Sequence, residues 1–182
     1  KNNPLIINFL DYEKEKINST DIILKGIYKK NKELVFQTIS IIEKNNQILF
    51  KDLLLSNNFK IKDLDYVKLD YRNKNDFFNK IELKRNKSNF SIKGKSFDAT
   101  QLINNSMDDD KNSIIFENFN SKFDIKIDTI YLNEKDYTEN LFGNFTFKEN
   151  KLDKLNLESA FSNKKKMNLS IETNKQKETI TK

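Results

Sequence analysis

Histidine, cysteine and tryptophan are absent from this chain of 182 residues, proline occurs once and glycine three times. Each absence excludes something. Without His or Cys there is no Ser–His–Asp or Cys–His nucleophile system. Without Cys there is also no disulfide framework and no thiolate metal site. Ser–Lys variants remain formally open, but every Ser stands in an alternating or turn context without an elbow. Gly26, Gly94 and Gly143 stand singly, so no Gly-rich phosphate loop can form. Each lies in or beside an expected strand, where Gly marks a bulge or a bend. No apolar run approaches the roughly 20 residues of a membrane helix, and no charged-then-apolar signal segment opens the chain. Beginning on Lys1-Asn2-Asn3 rather than Met, the sequence reads as a piece of something longer, so an anchor or signal is expected to lie outside it.

The charge balance excludes little. Against 33 Lys and Arg stand 27 Asp and Glu, a formal charge of +6 that suits anionic headgroups or nucleic acid. Lys alternates with apolar and acidic residues, however, as on a solvated sheet face. A nucleic-acid groove wants Arg clusters with exposed aromatics, and Arg stands only at Arg72 and Arg85, so nucleic acid is not an expected partner. Lys164-Lys165-Lys166 falls where a hairpin turn is expected. Asp108-Asp109-Asp110, the one dense carboxylate run, lacks the glycine turn and closing Glu of a calcium loop and reads as a solvated loop. No metal or cofactor is expected, no acid pair is nominated for hydrolysis, and the chain is not expected to be an enzyme.

What is present is alternation. Ile81-Glu82-Leu83-Lys84, Phe90-Ser91-Ile92-Lys93, Phe123-Asp124-Ile125-Lys126-Ile127, Phe145-Thr146-Phe147, Leu155-Asn156-Leu157 and Asn168-Leu169-Ser170-Ile171 keep a period of two. That period places one strand face on apolar matter and the other in water. It predicts strands near 5–12, 21–30, 33–43, 47–56, 59–72, 77–85, 88–97, 113–118, 121–132, 141–149, 151–161 and 165–173. The turns between them are rich in Asn and Lys, such as Lys44-Asn45-Asn46 and Asn73-Lys74-Asn75; Asn and Asp tolerate the left-handed conformation that turns need. Turns every ten to fifteen residues predict successive antiparallel hairpins, and parallel pairing is not expected because it needs long crossovers. One break stands out: Asp98 to Asn105 loses the alternation, with Asp98 as a helix N-cap and an acidic loop to Lys111. The expected fold is therefore mostly β, a long curled antiparallel sheet shaped like a groove, interrupted by one short helix near 98–106. Residues 1–182 form one segment, and the polar stretch 174–182 frays or begins a further strand.

Few strands are apolar on both faces, and no long amphipathic helix is available to cover the sheet. Such a face must fold on itself or hold apolar ligand, because each fully buried Phe, Leu or Ile is worth about 1.5–3 kcal/mol. The inward positions chosen by apolarity are Phe90, Ile92, Ile125, Ile127, Phe145, Phe147, Leu155, Leu157, Leu169 and Ile171.

The stretch from Ile92 through Gly94, Phe97-Asp98-Ala99 and Leu102-Ile103 ends a strand in Gly-x-x-Phe-Asp-Ala and opens a short helix. An acidic gap follows, then the long strands Phe123–Leu132, Leu141–Phe147 and Leu152–Ser159. This order resembles the AsmA-like proteins of bacterial envelopes, in particular the YhdP-type branch of bridge-like lipid transfer proteins. The likeness runs through the second half of the chain to about Ile171 and is one of style in the first half; Glu158-Ser159-Ala160 departs from the family's usual glycine there. The resemblance implies a taco-like β-groove that carries phospholipid acyl chains between inner and outer membranes, without a chemical step. It also implies a periplasmic location, with the inner-membrane anchor and other membrane contacts outside this sequence. The other expectation is a structural or adhesive β-domain with a closed, dry core.

Overall fold

The computed structural model describes residues 4–14, 17–28, 33–101, 103, 116, 117, 119–149, 151–173 and 179–181. Its strands are β1 (Ile6–Ile7), β2 (Tyr12–Glu13), β3 (Asp21–Tyr28), β4 (Leu34–Glu43), β5 (Asn46–Leu55), β6 (Ile61–Asp63), β7 (Tyr66–Arg72), β8 (Phe78–Asn86), β9 (Asn89–Asp98), β10 (Ser121–Tyr131), β11 (Tyr137–Lys148), β12 (Lys151–Phe161), β13 (Lys166–Thr173) and β14 (Thr179–Thr181). Twelve of them form one sheet in the order β14-β13-β12-β11-β10-β9-β8-β7-β5-β4-β3, with β6 beside β5; β1 and β2 pair separately. The sheet does not close, since β3 and β14 stand at opposite ends of that order. The mostly β fold expected from the alternation is the fold observed.

The pairing differs from the expectation at one place. β9 and β10 run parallel, with Phe90 beside Phe123 and Ile92 beside Ile125. The stretch between them, from Ala99 to Asn120, is long enough for the crossover that a parallel pair requires. The expected helix and acidic loop are this crossover. Residues 100, 101 and 103 are helical, and Asp98 caps them: Thr100 donates its N–H to Asp98 Oδ1 at 3.0 Å and its hydroxyl at 2.6 Å. Residues 108–110 and most of the expected strand 113–118 lie outside the described residues; Phe116 forms a single parallel bridge to Ile61.

Two other boundaries shift. The expected strand 5–12 is two short strands joined by a 3-10 turn at Asn8–Leu10, with Asp11 left-handed at φ 50°. The expected strand 59–72 divides at Leu64-Asp65 into β6 and β7. At 174–182 the described part is β14, antiparallel to β13, so the chain does begin a further strand there. In the turns the left-handed position falls to Lys44, Lys87, Lys164 and Glu149 as well as to Asp76. Asn serves instead as an acceptor: Asn73 Oδ1 takes the N–H groups of Asn75 and Phe77, and Asn133 Oδ1 those of Lys135 and Asp136.

Burial collects in three clusters on one face of the sheet. The first packs Tyr12, Ile41, Ile48, Leu69 and Tyr71 together with Leu5, Ile7 and Leu10 from the N-terminal segment. The second is aromatic, built on Phe90, Phe119 and Phe123 with Leu53 and Leu64. The third holds Ile127, Ile130 and Leu141 against Phe97 and Ala99. Close contacts between elements, among the described residues, run between sheet neighbours.

Candidate apolar binding face

The registers join the inward side chains into rows that cross the sheet. One row runs Phe50, Val67, Leu83, Ile92, Ile125, Gly143, Leu157, Leu169, from β5 to β13. At about 4.8 Å per strand the row spans roughly 34 Å. A second row runs Ile48, Leu69, Ile81, Gly94, Ile127, Leu141. A third runs Phe90, Phe123, Phe145, Leu155, Ile171. All ten positions chosen from the sequence stand on these rows or beside them, Phe147 packing at right angles on Phe145.

Burial divides the ten. Phe90 is 1% exposed and Ile127 2%, so these two are core. Ile92, Ile125, Phe145, Phe147, Leu155, Leu157, Leu169 and Ile171 are half-buried. Phe145 and Phe147 flank the aromatic cluster, and Ile92, Ile125 and Leu157 flank the third. Leu155, Leu169 and Ile171 belong to none of the three clusters. The apolar face therefore continues beyond its own core on the β12–β13 side. It does so on the other side too, where Ile22 opposite Ile41 and Leu24 opposite Ile39 are 50% and 63% exposed. Sequence reasoning passed over Phe50, Val67 and Leu83 as face residues, although Val67-Lys68-Leu69 and Ile81-Glu82-Leu83 carry the same alternation.

Two irregularities adjust the phase. Asp52, left-handed at φ 50°, lets Phe50 and Leu53 both reach the aromatic cluster three residues apart. Gly143, with φ +147°, lies so close to β12 that a Cβ would stand 2.0 Å from the Asn156 carbonyl oxygen. Gly94 stands opposite the register shift at Lys80/Ile81, the bulge role expected of these glycines.

The two ends of the face are plugged differently. At the end where β10 begins, Phe116 and Phe119 stack 4.5 Å apart, and Phe119 also stacks on Phe90 and Phe123. Phe123 lies nearly parallel to Phe90 at 4.9 Å and to Phe145 at 4.7 Å. Arg85 closes this end from below: its Nε donates to Asp65 at 2.6 Å, it pairs with Asp63, and its guanidinium lies 4.8 Å from the Phe90 ring centroid.

At the other end the N-terminal segment is pinned by polar groups. Tyr12 donates its hydroxyl to Glu43, Asn18 Nδ2 donates to Glu43 Oε1 at 2.8 Å, and Lys14 Nζ donates to the Asn18 carbonyl at 2.8 Å. Burial alone would raise the Glu43 carboxyl; the bonds from Tyr12, Asn18 and Asn46 and the Lys14 charge outweigh it and hold the group below its ordinary 4.5. A hollow of about 570 Å³ lies here, lined by Glu43, Lys14, Asn18 and Arg72 among others. Of its lining residues, Arg72 pairs with Asp76, and Lys74 with Asp11. No group of three potential metal ligands occurs among the described residues.

The opposite face carries the charge. Asp70 and Lys80 pair across β7 and β8 at 3.0 Å, and Lys154 and Glu172 across β12 and β13 at 2.7 Å. Tyr66 donates to Glu82 at 2.9 Å; burial, then that bond, raises its hydroxyl to about 12. The sheet is thus apolar on one side and ionic on the other. No family model, curated protein or solved structure matches the chain.

Proposed function

We propose that this chain holds phospholipid acyl chains on its apolar face, as a non-enzymatic segment of a conduit between the membranes of a bacterial envelope. One observation carries the reading: Leu155, Leu169 and Ile171 extend the apolar rows outside every buried cluster. Apolar side chains that continue past the buried clusters offer a surface on which an apolar ligand can lie. Each methylene that leaves water for it contributes about 0.8 kcal/mol, so acyl chains are retained without a polar contact to a headgroup. Such binding is tolerant of chain identity and leaves lipid free to move along the rows. The conduit, its periplasmic setting and its anchor outside this sequence rest on the likeness to the AsmA-like family.

Native mass spectrometry with lipid extraction, on protein purified from a bacterial envelope, tests the proposal. Phospholipid is expected to co-purify and to be lost in the double variant Leu169→Asp, Ile171→Asp. Both sites are half-buried, so circular dichroism is expected to stay that of the parent. Ile127 is unsuited to this test, because a charge at a position 2% exposed would unfold the sheet. A lipid-free, cooperatively folding protein would instead support the structural β-domain with a dry core.

A further inference from the structure

Strand β3 ends the sheet, and all eight of its residues are exposed. An edge strand offers a row of unpaired N–H and C=O groups, which proteins guard with charge, proline or bulges. Over Asp21-Ile22-Ile23-Leu24-Lys25 β3 has neither proline nor bulge, and its charges stand only at the two ends. Its ladder to β4 is regular there, and the register shift comes only between Lys25 and Gly26. The inner side of this stretch is apolar, and the outer side carries Ile23 between Asp21 and Lys25. Ile22 and Leu24 lie on the inner side, opposite Ile41 and Ile39, and Ile23 on the outer side is 44% exposed. Behind Ile23 the outer row continues through Ser40 to Leu49, and behind Ile27 through Val35 to Leu54. At this corner the aliphatic residues of the outer face alternate with the row Lys25, Thr38, Lys51.

We propose that β3 pairs antiparallel with β3 of a second copy of this chain, about a two-fold axis at Ile23, so that two sheets join into one. The five residues are charge-palindromic. With Ile23 opposite itself, Asp21 meets Lys25 twice and Ile22 meets Leu24 twice. Opposite charges set directly across strands are favourable and like charges are not, so the sequence selects both the partner and the register. A pairing this short buries less than the roughly 1,200 Å² of a stable complex. The dimer is therefore weak and depends on protein concentration.

Sedimentation velocity over a concentration series is expected to show a monomer–dimer equilibrium. Ile23→Lys sets two ammonium groups face to face and Asp21→Lys sets Lys against Lys25; each is expected to weaken association at least tenfold with an unchanged β spectrum. The exchange Asp21→Lys with Lys25→Asp restores it. The chain has no native cysteine, so Ile23→Cys reports the register directly. Directly opposed residues stand about 4.5–5.5 Å apart at Cα, inside the disulfide range, and the variant is expected to oxidise to a covalent dimer. Ile27→Cys, placed roughly 27 Å from its copy in this register, is not. A monomer at every concentration up to about 1 mM, growth beyond the dimer, or failure of the charge exchange to restore what Asp21→Lys removes would each overturn the proposal.

Discussion

Phe123 is the position where the division between core and open face is most sharply tested. Its ring is 4% exposed and meets four others: Phe90, Phe145 and Phe119 in stacked geometry, and Phe147 edge-on at 6.1 Å. Truncating a buried Phe to Ala costs about 3–5 kcal/mol, and each lost aromatic pair adds to the burial term. Phe123→Ala is therefore expected near the top of that range, about 4–5 kcal/mol. Ile125 lies two residues on, on the same strand and the same face, but is half-buried. Ile125→Ala is expected to cost only about 1–2 kcal/mol, part of the value for a fully buried site. Urea unfolding followed by circular dichroism separates the two. With m of about 2 kcal/mol/M, Phe123→Ala lowers the midpoint by roughly 2 M and Ile125→Ala by less than 1 M. Equal losses at the two sites, or a loss below about 2 kcal/mol at Phe123, would refute the assignment of core and face.

Gly143→Ala is expected to destabilise by at least about 2 kcal/mol in the same assay, because positive φ and a carbonyl contact leave no room for a methyl group. Protein that tolerated it with an unchanged midpoint would show that β11 and β12 do not approach as closely as described. Glu43 makes stability depend on pH. Its folded carboxyl lies below its ordinary 4.5, so its contribution is complete above that value and is lost as pH falls through the folded value. The melting temperature of the parent is expected to fall more between pH 7 and pH 3 than that of Glu43→Gln, whose site cannot titrate; parallel losses would remove Glu43 from the acid transition.

The strands were legible because one face is apolar and the period of two survives in nearly every one of them. The face residues followed from the same signal: positions such as Ile125 and Leu157 needed only their alternation to be placed. Two things were not legible. The first is the parallel pair, since Ile92 and Ile125 read identically whether their strands run together or opposed; direction is set by the length and path of the crossover, not by side-chain pattern. The second is which inward residues are core. Phe90 and Phe145 share the same alternation, and Phe119 and Arg85, both of which lie against Phe90, distinguish a ring that is sealed from one that is not. Phase breaks were hidden for a related reason: Asp52 adopts a left-handed conformation that Asp elsewhere in the strands does not.

A sheet with one apolar face depends for stability on what packs against that face, because an uncovered strand face contributes little burial. Here burial is concentrated in two clusters near strand ends and in a third, around Ile127 and Leu141, between β10 and β11. The aromatic plug with Arg85 seals one end, while Tyr12, Glu43 and the N-terminal segment fasten the other. Between these clusters the row from Val67 through Leu157 to Leu169 is half-buried. The deeply buried residues and the outermost face residues, Leu155, Leu169 and Ile171, are thus distinct. That separation is what makes aspartate at Leu169 and Ile171 informative, since it changes the face while leaving the buried clusters in place.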